Sequence, residues 1–108
     1  MAYERLVKKM TIENLWIYIL SSLKIKPRYG YEIGKHIEKN YGFKLGKVTS
    51  YVILYRLVKE GLITLKEEKK DGYGPPRKYY AITDKGLKVL RRGEEFLENM
   101  LYRIKKTQ

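Results

Sequence analysis

The chain has 108 residues, enough for one compact domain and too few for two. Its 24 Lys and Arg outnumber 12 Asp and Glu, a formal net charge of +12 that sets a small domain against itself unless a polyanion relieves it, so a nucleic acid or an anionic membrane surface is the natural partner. The lack of cysteine excludes disulfides and thiolate metal sites, the single His and two Asp leave little for acid–base catalysis, and no apolar run approaches the roughly 20 residues that span a bilayer.

Glu4 among the first bases does not suit a secretory signal. A cytoplasmic, soluble protein is expected that is not an enzyme and has no cofactor, no metal and no membrane partner. His36 has no second ligand at metal spacing and reads as a helix-surface residue. Gly42 to Lys47 superficially resembles a phosphate loop, but it is one residue short and Val48 stands where Ser or Thr is required.

In chain order, residues 3–23 place Leu6, Val7, Met10, Ile12, Leu15, Trp16, Ile19, Leu20 and Leu23 at the three–four spacing of an amphipathic helix. Thr11 is a candidate N-cap, which would divide the stretch into an arm and a helix. Pro27 and Gly30 end it, because proline lacks the helical donor and disfavours helical geometry in Lys26 before it. A second helix spans about Tyr31 to Asn40, buries Ile33 and Ile37, and stops at Gly42.

The third helix covers about Lys47 to Glu60. At 100° per residue, Tyr51, Leu57 and Val58 fall on the side of Leu54, while Thr49, Val52, Arg56 and Lys59 point the opposite way. No acidic residue lies between Glu38 and Glu60, although that stretch holds Lys39, Lys44, Lys47, Arg56 and Lys59. A solvated surface helix would mix both signs.

Beyond Gly61, Leu62–Leu65 and Tyr79–Thr83 read as strands joined by a charged, turn-rich tip containing Asp71-Gly72 and Gly74-Pro75-Pro76. Thr83 or Asp84 caps a last helix of about 20 residues, in which Leu87, Leu90, Leu97, Leu101 and Ile104 form a stripe widened by Phe96 and Met100. Such a helix has little of its own domain to cover it, so a partner chain is expected to do so. The fold class is mainly α with a small β-hairpin wing: a winged helix-turn-helix over 1–83 with an N-terminal helical arm, and a C-terminal dimerisation helix over 84–108.

In order and spacing, the chain from about Leu15 to Leu90 resembles the PadR family of transcriptional regulators. The resemblance rests on Tyr29-Gly30-Tyr31-Glu32-Ile33, Tyr51, Leu54, Arg56-Leu57, Glu60-Gly61-Leu62-Ile63, Arg77-Lys78-Tyr79-Tyr80 and Ile82-Thr83-Asp84-Lys85-Gly86. The family pattern favours glycine where Val48 stands and leucine where Ser50 stands.

The resemblance implies a homodimer of the short-tailed type, built through the last helix and helix one, that binds double-stranded DNA as a repressor whose binding a small-molecule effector relieves. The interface residues expected are Leu15, Trp16, Leu87, Leu90, Leu97, Met100, Leu101 and Ile104. Trp16 at helical spacing is the ordinary signature of core or dimer packing, and in some relatives aromatic residues line an effector cavity.

Lys44, Lys47, Lys59, Lys69, Lys70, Arg77 and Lys78 can meet phosphates, which gives affinity and salt dependence without sequence reading. Thr49, Val52 and Arg56 are expected at base edges with Val48 beside them, and Tyr73 of the tip either packs on sugar or faces water. Two other readings are a basic architectural protein that coats DNA with little preference, and a winged domain that binds protein and uses its charge for solubility.

Overall fold

The structure, a computed structural model, describes residues 1–68 and 77–108. Its helices are α1 (Ala2–Met10), α2 (Leu15–Ile25), α3 (Gly30–Tyr41), α4 (Lys47–Lys59) and α5 (Asp84–Lys106). The strands are β1 (Arg28–Tyr29), β2 (Ile63–Glu68) and β3 (Arg77–Ile82), antiparallel in the order β1-β3-β2. This is the mostly helical, winged architecture expected from the sequence. The tip of the hairpin, with Lys69, Lys70, Tyr73 and its expected turns, lies outside the described residues.

The first amphipathic stretch is an arm and a helix. A 3-10 turn at Ile12–Asn14 separates α1 from α2. Thr11 is no N-cap: its hydroxyl donates back to the Val7 carbonyl at 2.7 Å, closing α1 instead of opening the next turn. The Tyr18 hydroxyl donates to the Met10 carbonyl, and its ring meets Tyr41 and Phe43 edge-on at 4.9 and 5.1 Å, which ties the end of the arm to the body. Burial, and secondarily Tyr41, raises the pKa of this phenol above its ordinary value. No residue of α1 is buried.

α2 runs through the centre of the protomer, with Leu15, Ile17, Ile19, Leu20 and Leu23 buried against Ile33 and Ile37 of α3, Leu54 and Leu57 of α4, Ile63 and Tyr80 of the sheet, and Leu90 of α5. Each fully buried aliphatic chain contributes about 1.5–3 kcal/mol relative to exposure. β1 is an addition to the expected fold. Lys26 is extended before Pro27, so the chain runs straight for two residues, and Arg28 and Tyr29 pair with Tyr80 and Tyr79 of β3. The Arg28 guanidinium donates through Nε to the Ser22 carbonyl at 2.9 Å, near the end of α2.

α4 ends in a Schellman motif. Gly61 has φ +76°, its N–H donates to Val58, and the Leu62 N–H donates to the Leu57 carbonyl at 3.0 Å, with both leucines buried. Thr83 joins this turn to α5: its hydroxyl donates to the Gly61 carbonyl at 2.7 Å and accepts from the Gly86 N–H at 2.9 Å, while its N–H donates to the Leu62 carbonyl at 3.1 Å. Gly86 makes the junction sterically feasible, because a Cβ there would overlap the Leu62 carbonyl oxygen and lie 2.8 Å from Ile82 Cγ1. Two turns further, Gly93 admits the Trp16 ring, whose Cη2 would stand 2.9 Å from a Cβ.

His36 departs from its expected place on the helix surface. It is half-buried, edge-on to Tyr41 at 6.4 Å, and its Nδ1 has no hydrogen-bond partner among the described residues. Burial, with Arg28 and Lys39 adding to it, lowers the imidazole pKa below its ordinary value of 6.5.

Gly86→Ala should lower the thermal midpoint by about 5–20 °C, the range for an overpacking cost of about 1–3 kcal/mol. Gly30→Ala, where no atom lies within 4 Å of the added carbon, should leave the midpoint unchanged or raise it. Circular-dichroism melts decide both. Because the folded state holds His36 below its unfolded pKa, the unfolded chain binds more protons in acid, and stability should fall as pH drops below about 6.5. Melts of His36→Gln across that window should show a flatter dependence.

Candidate nucleic-acid interface

The residues of α4 divide between two environments. Leu54 and Leu57 are buried, Ile53 and Val58 are half-buried, and the outward arc carries Val48, Tyr51, Val52, Tyr55 and Lys59. These five follow steps of three, one, three and four, so α4 has a second apolar stripe on its open side. Tyr51 is a correction to the helical wheel. An angle of about 60° from Leu54 puts it inside, yet it is 56% exposed, and Tyr55 at 61% and Val48 at 77% are exposed with it. Val48 in place of glycine therefore meets no crowding, and Ser50, in place of leucine, is half-buried.

Cations border this stripe. Lys44 lies in the loop before α4, Lys47 opens the helix, and the Lys59 ammonium is 5.2 Å from the centre of the Tyr55 ring. On the wing, Lys78 is exposed and the Arg77 guanidinium lies 4.9 Å from the centre of the Tyr29 ring. Tyr29 in turn stacks on Tyr31 at 6.4 Å and meets Tyr79 edge-on at 5.6 Å. Among the described residues the ion pairs are Met1 with Glu4, Lys9 with Glu13, and Lys24 with Glu94, and none involves α4.

Thr49 is exposed in the first turn of α4. Arg56 is exposed as expected and lies at the edge of the stripe, about 40° around the helix from Val52. It borders a recess of about 570 Å³ together with Glu13, Trp16, Ile53, Glu60 and Lys85, between α2, α4 and the root of α5. Glu13 is held below the ordinary carboxylate pKa, chiefly by the Lys9 ammonium hydrogen-bonded to it. On the other side of α4, Lys44 and Lys47 line a cleft of about 400 Å³ shared with α3.

The residues expected at a subunit contact also separate. Leu15 and Leu90 are 5% and 1% exposed, enclosed in the protomer's own core, which leaves them little surface for a partner. Trp16 and Leu87 are half-buried, with Trp16 seated on Gly93 of its own chain. Leu97, Met100, Leu101 and Ile104 are exposed, and Phe96 extends their stripe. In α5 only Gly86 and Leu90 are buried, Gly93 and Glu94 still meet Trp16 and Lys24 of α2, and the helix projects beyond them.

Reading by wheel missed Tyr51 and Tyr55 as surface groups and did not place Tyr31 or Lys35 near the interface. The signal was present in the composition of α4, where apolar residues occur all round, a pattern that requires either full burial or a second contact face.

The described residues hold no cluster of three or more His, Cys, Asp or Glu suited to a metal, and no described helix is long and apolar enough to cross a membrane. The model of the transcriptional regulator PadR-like family matches residues 19–92. Among solved structures, a transcriptional regulator from Clostridium thermocellum is similar at 31% identity and TM-score 0.74, covering 85% of this chain and 90% of the other. A PadR family transcriptional regulator from Eggerthella lenta is 32% identical with TM-score 0.72, covering 100% and 99%. A PadR-like transcription factor from Bacteroides fragilis is 26% identical with TM-score 0.77, covering 96% and 95%. No curated protein matches the chain.

Proposed function

The chain belongs to the PadR-like family of transcriptional regulators, and on that premise we propose that it is a sequence-specific repressor that binds a near-palindromic DNA operator as a homodimer. The family is one of non-enzymatic DNA-binding regulators. One observation carries the finer reading: the open side of α4 presents apolar and basic groups with no ion pair to a carboxylate among the described residues. Water is a poor partner for such a face, and a DNA major groove is a good one. It supplies thymine methyl groups for Val48, Thr49 and Val52, and flanking phosphates for Lys44, Lys47, Lys59, Arg77 and Lys78.

Arg56 reads guanine from the edge of the stripe, where the recess beside Trp16 also gives a small-molecule effector direct contact with α4 through Ile53 and Arg56. Lys69, Lys70 and Tyr73 of the wing tip extend the backbone contacts.

The homodimer reading rests on two uncovered surfaces. α1 exposes Tyr3, Leu6 and Val7, and the outer half of α5 exposes Phe96, Leu97, Met100, Leu101 and Ile104. Two such stripes on a small protein are covered by pairing with a second copy, and a two-fold pair presents its α4 helices to half-sites about 34 Å apart.

Selection of binding sites from random duplexes tests the reading. A regulator should prefer its site over random DNA by roughly 10³-fold or more at physiological salt. Equal affinity for all duplexes would turn the assignment to an architectural protein. On the selected site, Arg56→Ala should relax preference at one position per half-site, worth about 1–3 kcal/mol, whereas Lys78→Ala should weaken all sequences alike and make the salt slope shallower. Leu101→Glu, a change at an exposed position, should shift light-scattering mass from dimer to monomer and weaken operator binding. A wild-type protein that is monomeric at micromolar concentration would refute the dimer.

A further inference from the structure

Tyr29 joins α3 to the root of the wing. Its N–H donates to Glu32 Oε1 at 3.2 Å, which fixes it at the N-terminal cap of α3. Its backbone pairs with Tyr79 of β3, and the two rings meet edge-on at 5.6 Å. Alternate side chains of a strand share a face, so Arg77 stands on the same side of β3 as Tyr79. Its guanidinium lies over the Tyr29 ring, 4.9 Å from the centre. Tyr31 is nearly parallel to Tyr29, with 16° between the planes and 6.4 Å between the centres, and the Lys35 ammonium lies over Tyr31 at 5.5 Å. Arg77, Tyr29, Tyr31 and Lys35 thus form a ladder of cation, ring, ring and cation that runs from the wing into α3.

Lys78 has no such support. It is exposed on the opposite side of β3, and none of the cation–ring contacts among the described residues includes it. The two neighbouring cations therefore differ in kind. A guanidinium stacked by its face keeps its planar edge, and the N–H groups along that edge, free for a bidentate partner, and its rotamer is already chosen. An ammonium on a free four-carbon stem has to be ordered when it binds.

We propose that Tyr29 is a positioning residue for DNA recognition: it aims the guanidinium of Arg77 at the strand beside α4 and ties that aim to the start of α3. The inference rests on the DNA-binding reading. It adds that Arg77 and Lys78, equal in charge and adjacent in sequence, contribute unequally, and that a residue without charge sets the difference.

Tyr29→Leu removes the ring and no charge, whereas Tyr29→Phe keeps the ring. Affinity for the selected operator at physiological salt should fall about 2- to 5-fold in Tyr29→Leu, the range of one cation–π contact at an exposed site, and stay at the wild-type value in Tyr29→Phe. In an Arg77→Ala background Tyr29→Leu should cost nothing more, while with Lys78→Ala the two losses should multiply. A role in packing alone would weaken both backgrounds by the same factor. In the free protein the Arg77 δ protons should resonate upfield of their random-coil position in wild type and Tyr29→Phe, because of the ring beneath them, and return to it in Tyr29→Leu. If Tyr29→Leu lowers the thermal midpoint, Tyr29→Val, whose branched side chain suits the extended backbone of β1, takes its place in the same cycle.

Wild-type affinity in Tyr29→Leu, an equal loss in Tyr29→Phe, or the same factor lost with and without Arg77 overturns the positioning role while the DNA-binding reading stands. A wild-type protein that binds no duplex sinks the DNA-binding reading and the role together, and the upfield shift then records a stack with no bearing on DNA.

Discussion

Gly86 is where three parts of the fold meet, and the direction of α4 depends on how closely α5 can approach there. A side chain of any size at that point would push α5 off the Leu62 carbonyl. Thr83 would then lose its geometry, because its hydroxyl serves the Gly61 turn and the first turn of α5 together. The Lys85 ammonium, which donates to the Glu60 carbonyl at 2.8 Å, would move with them. The end of α4, the start of the hairpin and the root of α5 are thus held by a few hydrogen bonds that only a glycine permits.

Holding α4 rigidly matters because its two faces have opposite requirements. Leu54 and Leu57 must reach the core, while Val48, Tyr51, Val52 and Tyr55 remain on the open side. A rotation of one residue step, about 100°, would exchange them. The inward leucines set the rotation and the Schellman turn sets where the helix stops, so the open face has a fixed register on the body. Recognition of a regular duplex needs that fixed register, since base edges repeat at fixed spacing.

Most of this was legible in the sequence. The order of helices and the hairpin followed from apolar spacing of three and four, from Gly42 and Gly61 at helix ends, and from the turn residues after Glu68, because these signals act over a few neighbouring residues. What stayed hidden depended on distant partners. β1 is two residues long and exists because Tyr79 and Tyr80 lie opposite it, so no local pattern could announce it. Thr11 matched a cap by type, but its hydroxyl found Val7 first. Tyr51 stood near the border of the buried arc, where an angle alone does not say which way a long ring turns. Leu15 and Leu90 were ambiguous for a similar reason, since an apolar position looks the same in sequence whether its own chain or another covers it.

The projecting part of α5 has a mechanical meaning for the proposed pair. Beyond the contacts of Gly93 with Trp16 and Glu94 with Lys24, residues 95–106 make a rod of about 18 Å at 1.5 Å per residue. Pivoting such a rod by about 10° displaces its far end by about 3 Å, close to the rise of one base step. Two protomers joined near those far ends would behave as a caliper, in which a slight change in crossing angle alters the span between reading helices by about a base pair.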